Sequence, residues 1–385
     1  MRSDNDHRQP KPGAVGMPES DDAARVHGSQ GKRSAAEPLP WPSTRGSSNT
    51  APVVDDGKVP QSDLEDRFGR RFAYLRLSIT DVCNFRCEYC LPNGYQGTPT
   101  GFLHQTEISR LIHGFADLGI RKLRITGGEP LVRKDALAII AEAAATPGIE
   151  KVALTTNAFN LAEQAEALRD AGLSAVNISL DSLNAEGFER ITGDKRFEKV
   201  MSGIDAAIAA GIPSVKINTV LLGGLNDHEI GDFMEFVRER PVAVRFIELM
   251  QTADNGDYFR HRHVSAQTVA DRLQAAGWTP QKRGEIDGPA VEYTHPNYAG
   301  RIGLIAPYAP GFCDGCNRLR VTARGGLRLC LFGNGTHDLR PLLQDDADKP
   351  ALKRNICQTL LGKEVSHFLH EGDFGDTPHL ASTGG

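Results

Sequence analysis

Residues 72–90 read FAYLRLSITDVCNFRCEYC, and this stretch decides the fold. Its first half alternates. Leu75, Leu77 and Ile79 face one way and Arg76, Ser78 and Thr80 the other, which predicts a strand over Phe72–Thr80. Its second half carries Cys83, Cys87 and Cys90 at the spacing C-x3-C-x2-C. The thiols therefore follow the C-terminal end of a strand, in a loop able to wrap three of them around one metal group.

The same rhythm recurs downstream. Strand-like segments at Lys122–Thr126, Lys151–Thr155, Ala175–Asp181, Val215–Leu221 and Val242–Leu249 alternate with helical ones. The helical stretches are Thr106–Leu118, Lys134–Ala145, Leu161–Ala171, Glu198–Ala210 and His228–Arg240. Strands joined by helical crossovers are parallel. Six such units over residues 71–250 predict an α/β fold, a partial (βα)6 TIM-like barrel rather than a closed eight-stranded one. Outer helices require apolar outer strand faces. The inner faces then hold Arg76, Arg124, Asn177, Ser179, Lys216 and Asn218. Ordinary barrels fill with branched apolar side chains. Buried cations are too costly unless anions meet them, so this lumen is expected to bind something strongly negative. A flat sheet with one solvated face is the alternative.

Beyond residue 250 the pattern changes. A helix at Val264–Ala276 precedes short strands at Val291–Thr294, Ile302–Ala306, Arg318–Thr322 and Leu327–Cys330, separated by Gly and Pro. They read as a C-terminal module over residues 261–385, after a barrel over 66–260. Residues 1–65 are rich in Pro, Gly, Ser, Asp and Arg and bury too little apolar surface to offset the entropy of ordering, so a disordered leader is expected. The 385-residue chain has a formal net charge of −5, which offers no global attraction to nucleic acid. It has no apolar run long enough to span a membrane, and MRSDNDHRQPKPG at its start lacks a secretory core. Clustered cysteines without an export signal read as metal ligands in a reducing cytoplasm, not as disulfides.

A second triplet, Cys313, Cys316 and Cys330, lies in GFCDGCNRLRVTARGGLRLC. Each triplet is one ligand short of closing an iron–sulfur cube, which takes four thiolates. An open coordination position marks a metal site that binds something else. Zinc is the other metal that three cysteines suit. Cys357, in KRNICQTLLG, reads as a buried structural thiol on the apolar face of a helix. Arg324 and Arg328 read as surface charge, and Lys122 as a residue at the solvated start of its strand.

CNFRCEYC, with the aromatic Tyr89 before its last cysteine, resembles the signature of the radical S-adenosylmethionine (SAM) superfamily. Gly127-Gly128-Glu129-Pro130 after the second strand is similar to a further superfamily motif. The resemblance implies a [4Fe-4S] cluster on Cys83, Cys87 and Cys90. Its open iron chelates SAM, and one electron then releases a 5′-deoxyadenosyl radical inside a shielded lumen. It further implies SAM contacts at Gly128, Ser179 and Met250, with Tyr89 beside the cofactor.

The second triplet, taken with LRITGGEPLVRKD, LTTNA, NISLDSL, VRFIELM and a terminal Gly-Gly, resembles the GTP 3′,8-cyclase family. That family catalyses the first step of molybdenum cofactor biosynthesis. The resemblance covers residues 70–335 and the last two residues. It implies a second [4Fe-4S] cluster on Cys313, Cys316 and Cys330, binding guanine. Its substrate ligands map onto Arg76, Arg124, Thr155, Lys216, Asn317, Arg318 and Arg320. Arg318 and Arg320 are the catalytic pair that positions the triphosphate, and Gly384 and Gly385 reach into the active site. Implied as well are a low-potential electron donor, a downstream cyclic pyranopterin monophosphate synthase and a homodimer, with no nucleic acid and no membrane. A radical SAM enzyme acting on a peptide is the rival, and a lumen this cationic argues against it.

Overall fold

The computed structural model describes residues 64–377 and 380–383. The expected leader, apart from Leu64 and Glu65, lies outside the described residues, as do Gly384 and Gly385. The expected strands form as β1 (Tyr74–Ser78), β2 (Lys122–Thr126), β3 (Lys151–Thr156), β4 (Ala175–Ser179), β5 (Val215–Leu221) and β6 (Ala243–Glu248). The intervening helices are α1 (Gln105–Asp117), α2 (Ala136–Ala145), α3 (Ala165–Asp170), α4 (Ala185–Thr192), α5 (Phe197–Ala209) and α6 (Ile230–Phe236). Helix α1 shows why they form. Ile108, Leu111, Ile112 and Phe115 recur at helical spacing and are buried, and Glu107 accepts the His104 backbone N–H to close a capping box.

The remaining elements are α7 (Gly256–Arg262), α8 (Gln267–Ala275), β7 (Thr279–Pro280), β8 (Val291–Thr294), β9 (Arg301–Ile305), β10 (Arg318–Val321), β11 (Gly326–Arg328), β12 (His337–Asp338) and α9 (Lys349–Leu360). All strands join one twelve-stranded sheet, ordered β12-β11-β10-β1-β2-β3-β4-β5-β6-β9-β8-β7. β10 pairs parallel to β1, and β9 parallel to β6. The C-terminal strands therefore extend both edges of the barrel sheet, and the sheet runs across the boundary at residue 260.

Every residue of β1 and β2 is buried, which excludes a solvated sheet face. Register sets the lumen. Arg76 stands beside Arg124 on one side and Arg320 on the other. Asn177 stands beside Thr155 and Lys216, and Asn218 beside Ser179 and Arg245.

The helices differ from expectation in several places: Leu161–Ala171 forms only from Ala165 and Val264–Ala276 only from Gln267. His228–Arg240 shortens to α6, because Pro241 disfavours helix at Arg240 and the turn unwinds before it. Helix α4 was not expected, since a glycine and a β-branched end weaken its helical signal. Tertiary packing requires the glycine: a Cβ on Gly187 would come 2.5 Å from Ser182 Oγ.

Candidate active site

The first cysteine loop is held at the C-terminal mouth of the sheet. Phe85, buried, packs edge-on against Phe159 and Phe188. The backbone N–H of Arg86 and of Glu88 donate to Thr192 and Ile191 at the end of α4. The Gly127-Gly128-Glu129 turn lies directly on this loop. Gly128 N donates to Thr80 O at 2.8 Å, and Glu129 N to Val82 O at 2.8 Å. A Cβ at Gly128 would meet Val82 O at 2.4 Å, so only glycine fits. The Glu129 carboxylate accepts from Thr156 Oγ1, Asn157 N and Leu131 N, tying the turn to β3.

The three thiols crowd one another. Burial, then Asp181 and the other two sulfurs, pushes Cys87 well up, and burial raises Cys83 to about 11 and Cys90 to about 12. Such thiols need a metal's positive charge to ionise. Three thiols on one short loop are the soft donor set that an iron–sulfur cluster takes.

Tyr89 donates its hydroxyl to Asp181 Oδ2 at 2.9 Å, and Asp181 Oδ1 accepts Val220 N at 2.8 Å. Tyr89 packs on Ile191, Leu222, Leu225 and Leu249. Ser179 ends β4. Met250 and Cys90 pack on the same apolar group, formed by Leu331, Phe332, Leu369 and Leu380.

The second triplet opens at the other end. Cys316 precedes β10, which runs parallel to β1, so its sulfur lies toward the N-terminal ends of the strands while Cys83 lies beyond the C-terminal ends. Five strand residues at about 3.3 Å each separate these ends by about 16 Å. Cys313, Cys316 and Cys330 line one cavity with Arg76, Arg124, Arg245, Arg318, Arg320 and Met250. Burial alone would raise the Cys316 thiol, but Arg318 and Lys363 bring it down to about 6. The Ser366 hydroxyl lies 3.8 Å from Cys313 Sγ.

Five arginines line this cavity and no carboxylate does. Arg245 donates its Nη2 to Glu292 Oε1, while its Nε and that of Arg124 have no hydrogen-bond partner among the described residues. Burial, and then the neighbouring guanidinium groups, lower Arg124 to about 9. Burial and then Arg245 lower Lys216 to about 7. Arg124 Nη1 lies 3.5 Å from Thr155 Oγ1, so these two expected ligands meet. Thr155, Lys216 and Asn317 do not line the cavity; the Asn317 amide donates to Glu285 O and Asp287 O.

Three readings change. Lys122 is buried, donates to Ile286 O at 3.0 Å and sits 4.8 Å above the Tyr74 ring; its strand start is covered, not solvated. Arg328 is buried too, and its guanidinium holds Asp376 Oδ1, Thr377 Oγ1 and Gly333 O. Cys357 is half-buried, because α9 turns Leu352, Ile356 and Leu360 inward instead, and it does not line the cavity. Arg324, by contrast, is half-exposed. Arg245 was not expected in the lumen. The alternation that placed Lys216 and Asn218 also places it, one strand on.

The fold and the two thiol triplets define a radical SAM enzyme with an auxiliary cluster. Residues 77–237 match the Radical SAM superfamily and residues 242–369 match Molybdenum Cofactor Synthesis C. The chain is 52% identical over 353 residues to a GTP 3′,8-cyclase of Aeromonas hydrophila, covering 90% of this chain and all of that one. It is 53% identical over 335 residues to a GTP 3′,8-cyclase of Psychromonas ingrahamii, covering 87% and 99%. The fold resembles Streptococcus suis SuiB bound to S-adenosylmethionine, with TM-score 0.53 and 13% identity over 77% of this chain and 69% of that one. The chain belongs to the GTP 3′,8-cyclase family. Its cofactors are SAM and [4Fe-4S] clusters.

Proposed function

We propose that the chain converts GTP to (8S)-3′,8-cyclo-7,8-dihydroguanosine 5′-triphosphate, the first step of molybdenum cofactor biosynthesis. One observation carries this reading: a single cavity is lined by three thiols and five arginines, of which Arg245 is paired with Glu292. A triphosphate with about four negative charges meets those cations through bidentate guanidinium contacts. A peptide has no matching charge.

Cys83, Cys87 and Cys90 would hold the cluster that, with SAM, would supply the radical chemistry at C3′ of the ribose. Cys313, Cys316 and Cys330 would hold the second cluster, which would offer an open coordination position to the substrate. Arg76, Arg124, Lys216, Arg318 and Arg320 fix the phosphates, so that C3′ is presented toward the first cluster's end of the lumen and C8 stays within reach of the ribose. Thr155 orients Arg124, and Asn317 positions the loop behind Arg318. Gly128, Ser179 and Met250 bound the SAM pocket, with Tyr89 anchored beside it by Asp181. Buried apolar walls exclude water from the reacting carbons. Gly384 and Gly385 are assigned to the site on the family resemblance alone. A low-potential electron donor and a downstream cyclic pyranopterin monophosphate synthase follow from the reaction. A cytoplasmic location belongs to the same reading; among the described residues no helix is long and apolar enough to cross a membrane.

Anaerobic incubation with SAM, a strong reductant and GTP should give 5′-deoxyadenosine and a cyclised nucleotide in equal amounts. SAM cleavage that leaves GTP unchanged would refute the reading.

A further inference from the structure

Tyr74 is a buried phenol that the catalytic reading does not use. It lies on β1 two residues before Arg76, is fully buried, and is flanked in register by Lys122 of β2 and Arg318 of β10. Three cations surround its ring: Lys122 Nζ at 4.8 Å, the Arg124 guanidinium at 5.6 Å and that of Arg76 at 5.9 Å. Arg76 and Arg124 continue to the cavity wall; Tyr74 and Lys122 do not. The phenol therefore stands behind the arginines that meet the phosphates.

We propose that Tyr74 is a positioning residue for the phosphate groups of the substrate: it gathers Arg76, Lys122 and Arg124 when no anion is present, and takes up a proton from solvent when a polyphosphate arrives. This rests on the reading that the cavity binds GTP. A ring face attracts cations, and a buried cation without a counter-charge is costly. The groups around Tyr74 are Arg76 on its own strand, Lys122 and Arg124 on β2, and Arg318 and Arg320 on β10. Asp287, in the loop before β8, acts on Lys122. The surroundings are thus strongly positive. Burial opposes ionisation of the phenol, yet Arg124, Arg76 and Lys122 outweigh it and bring the hydroxyl down to about 7. A bound triphosphate neutralises the same cations, so the hydroxyl returns to its ordinary range. Lys216, lowered to about 7, takes up a proton in the same direction. Only a comparison of variants isolates Tyr74.

The test is GTP binding to reconstituted, anaerobic holoenzyme without SAM. Titration calorimetry in two buffers of different ionisation enthalpy, at pH 7 to 8.5, reads proton uptake directly. The wild-type protein should take up protons, and its Kd should rise with pH, by at most about tenfold per unit for each linked proton. Tyr74→Phe keeps the ring and should bind GTP with smaller uptake and a shallower pH profile. Tyr74→Leu removes the ring and should weaken GTP at least about tenfold. Equal uptake and equal profiles in wild type and Tyr74→Phe would overturn the proposal, as would a wild-type protein that takes up no proton. If wild type does not bind GTP at all, the functional reading itself fails, which is a different result.

Discussion

Lys216 shows how the site trades stability for charge. Burial and Arg245 lower its ammonium to about 7, from an ordinary lysine value of about 10.5. The unfolded chain therefore binds more protons than the native one between these values. Burying the charge costs stability below pH 7, and the cost fades as pH rises toward 10.5. Lys216→Met keeps the stem and removes the charge. At pH 6 it should stabilise the substrate-free protein by about 1–3 kcal/mol while weakening GTP by at least about tenfold. Thermal unfolding and equilibrium binding on one preparation check both signs; a less stable variant would mean that the ammonium has a partner. Much of this chemistry was legible in the residues. Arg76, Arg124 and Lys216 stand out because alternation put charge where barrels carry branched apolar side chains. Tyr74 did not stand out, because an aromatic at a strand start reads as core. Its importance comes from cations on neighbouring strands, and only register reveals them.

At the scale of elements, α1 is fastened to the C-terminal region through one carboxylate. Glu107 accepts the His104 backbone N–H at 2.7 Å, Arg340 Nε at 2.9 Å and Gln344 Nε2 at 2.8 Å. Burial opposes the charge, yet Arg340, Gln344 and the His104 amide overcome it and hold Glu107 at about 2. Glu107→Ala should lower stability by roughly 1–3 kcal/mol, since it strips a charged hydrogen-bond network and the helix cap together. Hydrogen exchange should quicken in the first turn of α1 and in the 340–344 turn at once. Faster exchange in α1 alone would show that the two segments are not coupled. The six parallel strands were readable because short alternating segments with one apolar face recur between amphipathic helices. The placement of β9 and β10 was not, because short strands between glycines do not say which edge they join. Helix α4 escaped for a similar reason: Gly187 serves a close contact with Ser182 at the expense of local helix propensity.

For the whole molecule, the decisive property is that two thiol triplets sit at opposite ends of the same parallel strands, with a cationic lumen between them. Each end should then be separable by a single substitution. Cys316→Ala should lower bound iron from about eight to about four per chain. It should keep SAM cleavage but uncouple it from any change in the nucleotide. GTP at about 100 times its Kd raises wild-type stability by about 2.7 kcal/mol through mass action, and this protection should fall sharply in the variant. Cys83→Ala should do the reverse, abolishing SAM cleavage while GTP still protects. Iron analysis, 5′-deoxyadenosine yield and thermal shift with GTP, measured side by side, decide the matter. If Cys316→Ala keeps full GTP protection, the arginines alone hold the nucleotide and the second cluster does not face the purine. If it keeps about eight irons, a further residue completes the second cluster and the site is closed to substrate.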